Sequence, residues 1–227
     1  MKSYKLVHQL LDLVEQFENE NSNNELSLAD FSGFLLNSIQ HSGNEVSPDI
    51  RFGEFEHEAQ ELAYQIDNNI GKLVIYMSRY AKSYIKKALE GSLLQTAEDF
   101  TCLAILLTHD NLSKGDLISR NIQEKTSGTE VIRRLLVSGL VEQWDDPDDK
   151  RGKRIAITAK GKALLYDIFA DMSHVGKMVT GKLSFSEKLT LQYLLQKLEN
   201  FHYNVYENKA VSTKEELRSF DKEAVSY

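Results

Sequence analysis

The chain has 227 residues, 41% of them hydrophobic and 27% charged, which excludes a wholly disordered polypeptide, and no apolar run approaches the roughly 20 residues of a membrane span. Its one cysteine, Cys102, excludes an intrachain disulfide and a multi-cysteine metal site; with no secretory signal in MKSYKLVHQLLDLVEQF, a cytoplasmic location is expected. The net charge of −7 argues against nucleic acid only on average, because residues 1–69 hold 3 Lys/Arg against 13 Asp/Glu while residues 110–162 hold 11 against 9, and a binding module needs only one positive face.

Residues 1–54 read as a helical extension and linker. Leu6, Leu10, Leu13 and Phe17 recur at helical spacing, and so do Leu28, Phe31, Leu35 and Ile39 after the cap pair Ser27/Asp30. The stretch HSGNEVSPDI separates this pair from residues 55–95. There Phe55, Ala59, Leu62, Ile66, Ile70, Leu73, Met77, Tyr80, Tyr84 and Ala88 predict one long amphipathic helix, weakest at Gly71 and stopped at Gly91. His57 and Glu61 have the spacing of a helical zinc-protease pair, but Glu61 stands where a second histidine is needed, so a solvated acidic face is the better reading. No metal or cofactor is expected, and no acid–base pair, nucleophile elbow or phosphate loop points to an enzyme.

Residues 96–162 have a different rhythm. Ser or Thr followed three residues later by an acid starts helices at Thr96/Asp99 and Ser113/Asp116, as it does later at Ser184/Glu187. A helix over 96–108 precedes a short one in SKGDLISRN and another in EKTSGTEVIRRLLVSG, ended by Gly139. LVEQW and KRIAIT are strand-like, and the loop between them contains DDPDDKRGKR, four acids around a proline and then four bases around a glycine. Thr158 caps the next helix. Helix, helix, helix, two-stranded hairpin, helix is the order of a winged helix-turn-helix. Residues 163–227 add amphipathic helix through Leu189, Tyr193, Leu194, Leu198 and Phe201, then a charged tail, STKEELRSFDKEAVSY, for which partial disorder is expected. The predicted fold is mainly α: a winged helix-turn-helix with a two-stranded β wing, long dimerisation helices and an N-terminal helical extension.

From about residue 70 to 208 the chain resembles the MarR (multiple antibiotic resistance regulator) family of transcription factors. The match is densest in TEVIRRLLVSGLVEQWDDPDDKRGKRIAITAKG: a recognition-helix end, Gly-Leu-Val into the wing, Asp149 and Arg151 at its tip, and Ile157, Thr158 and Gly161 at its close. The resemblance implies a homodimer on a pseudo-palindromic operator in double-stranded DNA, with a small, often phenolic, effector that lowers affinity. It also implies a dimer base built from the terminal helices, on which residues 1–42 are expected to pack through Leu6, Leu10, Phe17, Phe31 and Leu35.

Carried onto this chain, the resemblance assigns DNA contacts to Thr126, Ser127, Thr129, Glu130 and Arg133 of the recognition helix and to Asp149, Lys150, Arg151 and Lys153 of the wing. Arg151 would probe the minor groove and Asp149 would hold it, while Lys150, Lys153 and Arg154 attract phosphate. Without a partner, the same loop is a solvated hairpin. Glu130 departs from the usual basic residue and reads either as a cytosine contact or as a solvated charge. Gly128 stands at a position usually apolar, which loosens the helix, and Asn121 and Ile122 replace the usual Leu-Gly at the inter-helix turn. Tyr76 and Tyr80, with Tyr84, read as dimer core or as an effector pocket. Cys102 reads as a core residue. The competing class is a helical partner-binding or architectural protein with a vestigial wing.

Overall fold

A computed structural model describes residues 2–21, 27–41, 51, 55–147, 149 and 152–220. The chain forms two compact units, Met1–Gln65 and Ile66–Tyr227. The first contains α1 (Lys2–Glu20), α2 (Leu28–His41) and α3 (His57–Tyr64). Ser27 caps α2 by accepting from the Asp30 amide at 3.1 Å. Phe17 is 6% exposed, its ring centroid 5.4 Å from those of Phe31 and Phe34. Leu6 and Leu10 are 66% and 45% exposed in the single chain.

The single long helix expected over residues 55–88 is two. Gln65 adopts φ −54, ψ 139, an extended conformation that ends α3, and α4 (Ile66–Ala88) begins at the next residue. Apolar spacing runs unbroken across this point, and neither Gly nor Pro marks it, so periodicity alone does not reveal the break. Gly71 lies inside α4 without interrupting it, and Gly91, at φ 79, follows its end.

The second unit continues with α5 (Ala97–Leu107), β1 (Leu112–Ser113), α6 (Lys114–Arg120), α7 (Lys125–Val137), β2 (Val141–Asp145), β3 (Lys153–Ile157), α8 (Ala159–Thr180), α9 (Phe185–Glu207) and α10 (Lys214–Ser219). Thr96, Ser113 and Ser184 act as side-chain N-caps, as their spacing predicts, and Thr158 caps α8 as expected. At the other end of α7, Gly139 takes φ 68; its amide donates to Leu136 and that of Leu140 to Leu135, both at 3.0 Å. This paired closure needs a left-handed residue, and glycine adopts it without a Cβ clash.

The expected wing hairpin is present, with Val141 opposite Ile157 and Asp145 opposite Lys153. A third strand adds to it: β1 pairs antiparallel with β3 through Leu112 and Ile155, so the sheet order is β1-β3-β2. The core beneath joins Leu103 and Leu106 of α5, Leu117 of α6, Ile132 and Leu135 of α7, Ile155 of β3 and Leu165 of α8, none more than 2% exposed. α7 is therefore clamped between α5, α6 and the sheet, and its remaining face is left outward. Part of the charged tail is ordered: Thr213 and Glu216 form a capping box at α10, and the Phe220 ring lies 6.0 Å from that of Phe201.

Candidate nucleic-acid interface

Helical periodicity divides α7 into two faces. Gly128, Val131, Ile132 and Leu135 are buried, while Thr126, Ser127, Glu130 and Arg133 are exposed and Thr129 is half-buried. The five recognition-helix residues expected to meet DNA thus lie off the core face. Glu130 does not stand as an isolated solvated charge. It accepts from Arg133 Nε at 2.8 Å and Arg133 Nη2 at 2.7 Å, a bidentate pair one turn apart. The Arg133 guanidinium holds the Glu130 carboxyl below the usual carboxylate range.

The next residue works inward. Arg134 Nη2 donates at 2.6 Å to Oδ1 of Asp99, which is 1% exposed. The other oxygen of Asp99 accepts from the amides of Gln95 and Thr96 at 2.9 and 3.1 Å. One buried carboxylate therefore closes the N-terminus of α5 and pins α7 to it. Spacing revealed the capping role of Asp99; its partner 35 residues away left no sequence signal. Arg134 Nε is buried without a hydrogen-bond partner among the described residues.

Gly128 does not loosen the helix. A Cβ there would stand 2.7 and 2.9 Å from the two Cγ atoms of Ile118, so glycine is what lets α6 and α7 approach this closely. Asn121 also has a positive role: its Nδ2 donates to the Glu98 carbonyl at 3.2 Å, and Thr101 donates to its Oδ1 at 2.6 Å. Ile122 occupies the left-handed end of α6 at φ 49.

The wing's divided charge becomes cross-strand pairing. Lys153 pairs with Asp145, and Arg154 Nε donates at 2.6 Å to Asp146, which is 8% exposed. Lys153 and Arg154, expected simply to attract phosphate, are thus each partly neutralised by a carboxylate. Asp149 is exposed, and its carbonyl accepts from the Gly152 amide at 2.8 Å. Lys150 and Arg151 lie outside the described residues.

A cavity of about 600 Å3 brings several of these groups together. The N-cap Ser113 and Lys114 of α6, Lys125 and Thr129 of α7, and Asp149 and Lys153 of the wing all line it. Tyr76 and Tyr80 lie elsewhere on α4: Tyr76 is half-buried, with the Arg79 guanidinium 5.7 Å from its ring centroid, and Tyr80 is 47% exposed. Cys102 is 1% exposed. Burial, with the nearby Asp99 charge, pushes its thiol up to about 12, the environment of an inert core cysteine. No cluster of three metal-ligating side chains occurs among the described residues, nor does any helix long and apolar enough to cross a membrane.

The comparisons with known proteins agree with this geometry. A family described as a winged helix DNA-binding domain matches residues 107–161, the segment holding α6, α7 and the wing. The HTH-type transcriptional repressor NicR of Pseudomonas putida is 25% identical over 136 residues, covering 60% of this chain and 85% of NicR. Among solved structures, an E. coli MarR variant complexed with operator DNA superposes with a TM-score of 0.53 at 25% identity, covering 59% of this chain and 98% of that one. A MarR transcriptional regulator from Methanosarcina mazei gives 0.52 at 26% identity, with 58% and 94% covered. BpsR of Bordetella bronchiseptica, whose DNA binding is regulated by 6-hydroxynicotinic acid, gives 0.54 at 24% identity, with 58% and 98% covered. The fold and the outward polar face of α7 define a winged-helix DNA-binding protein. Within that class, the chain is similar to regulators of the MarR family.

Proposed function

We propose that this chain is a homodimeric, non-enzymatic transcriptional regulator that binds a pseudo-palindromic operator in double-stranded DNA in the cytoplasm. The observation that carries the reading is the outward face of α7, where Thr126, Ser127, Glu130 and Arg133 are exposed while Val131, Ile132 and Leu135 anchor the helix in the core. A helix of this kind lies in the major groove and presents its N-terminal half to base edges. The N-cap Glu124 makes no side-chain cap hydrogen bond, so the first-turn amides of α7 are left for phosphate oxygens. In this reading Arg151 enters the adjacent minor groove, and Asp149 holds its guanidinium ready.

The dimer follows from surface that a monomer leaves uncovered. On α4, Ile70, Leu73, Val74 and Met77 are 42–53% exposed, and on α9, Leu189, Leu194, Leu195 and Leu198 are 44–51% exposed. Two apolar stripes of this length call for a symmetric partner. A small effector would act where that base meets the winged helix, near Tyr76 and Tyr80, and lower DNA affinity by favouring a different spacing of the two α7 helices. BpsR, with its 6-hydroxynicotinic acid, makes aromatic carboxylic acids the first class to try.

Affinity selection of the full chain on random duplex DNA tests the proposal. The expected product is a pseudo-palindrome whose half-sites lie about one helical turn, roughly 10 bp, apart. Absence of any enriched sequence would instead favour the partner-binding reading, which has its own support in Tyr4, Leu6, Val7 and Leu11 of α1, all more than half exposed.

A further inference from the structure

Because Glu130 holds one side of the Arg133 guanidinium, the geometry leaves a defined edge for DNA. Nε–H and one Nη2–H are directed at the carboxylate. The second Nη2–H and one Nη1–H then form the parallel end-on pair of the planar fork. That pair has the spacing of guanine O6 and N7 in the major groove. Resting on the DNA-binding reading above, we propose that Glu130 and Arg133 act as one unit in which Glu130 aims Arg133 at a guanine in each half-site.

Three further observations fit this assignment. Both side chains lie on the outward face, with 48% and 62% of their surface exposed, so the fork meets DNA without rearranging the core. The next residue, Arg134, is fixed by buried Asp99, and its Nη1 lies 3.9 Å from Glu130 Oε1. Arg134 thus places a second cation behind the carboxylate and steadies it from the protein side. Finally, each Glu130 oxygen receives one donor from Arg133 and has a further lone pair. The amino group of a neighbouring cytosine matches that acceptor. A paired Arg133 also adds little net charge at the phosphates, so its contribution is to base choice and not to overall attraction.

The test uses the full-length protein and the duplex enriched by the wild type, with the fixed guanine of each half-site exchanged for the other bases. Arg133→Ala and Arg133→Lys are expected to lose discrimination at that position by about 5- to 150-fold, the range for one bidentate pair. Lysine keeps the charge but not the fork, so its failure separates aim from attraction. Glu130→Ala should lose most of the same discrimination while its salt slope steepens, because a released Arg133 is free to contact phosphate. Glu130→Gln, with one acceptor kept, should fall between. Glu130→Ala in an Arg133→Ala background should change nothing further at that base. The opposite result, uniformly tighter binding by Glu130→Ala with guanine preference intact, would overturn the assignment and leave the DNA-binding reading standing. A wild type that enriches no duplex would remove both.

Discussion

Ile122 holds the left-handed position that ends α6, at φ 49, with its amide donating to Ser119 at 2.9 Å and that of Gln123 to Ile118 at 3.2 Å. A β-branched side chain there costs about 1–2 kcal/mol in steric strain, and glycine would relieve it while losing roughly 0.5–1 kcal/mol to backbone entropy. Since Ile122 is 58% exposed, Ile122→Gly is expected to raise stability by about 0.5–1 kcal/mol. A higher urea midpoint at unchanged slope is the measurement. Cys102 offers a second check. With its thiol held at about 12, the native protein should resist iodoacetamide at pH 8, and one thiol should react after denaturation. The unfolded thiol ionises first, so this residue's contribution to stability is full below the unfolded thiol's range and falls as pH rises toward 12. The core role of Cys102 was legible from its apolar neighbours. The left-handed strain at Ile122 was not, because the departure from glycine shows in the sequence while the φ it must adopt does not.

The wing is held by charge pairs set eight residues apart. Asp146 is nearly buried and its carboxylate receives Arg154 Nε at 2.6 Å. Asp146→Ala is therefore expected to loosen the hairpin while α5 and α7 stay intact. Hydrogen exchange should show faster amides across residues 141–157 and unchanged protection in the core helices. The sign separation in DDPDDKRGKR is plain in the sequence but these pairs are not, because Lys153 and Arg154 read as phosphate contacts until the hairpin brings them to Asp145 and Asp146. Cap spacing made the helix starts readable, because each signal is local. The elements that escaped reading lack local signals. β1 has two residues and exists only by pairing with β3. The break at Gln65 interrupts no apolar spacing.

Neither α4 nor α9 contains a fully buried residue within the single chain, although both are 23 residues long and striped with apolar side chains. Leu73→Glu combined with Leu194→Glu places carboxylates on both stripes. Light scattering should then report a monomer, and operator affinity should drop by orders of magnitude because one α7 cannot span two half-sites. The acidic N-terminal unit was readable as helices, and Phe17, Phe31 and Phe34 cluster within it. Stripes reveal which face is apolar, and nothing in their period names the partner. The claim on which the rest depends is that two copies of α7 enter successive major grooves on one face of a duplex. Methylation protection of guanine N7, on the duplex enriched from random DNA, reports directly on that groove. The expected pattern is two protected guanines about one turn apart, related by the dyad, with protection at both lost in Arg133→Ala. A bound duplex whose guanines all remain reactive, or no enriched duplex at all, would contradict it.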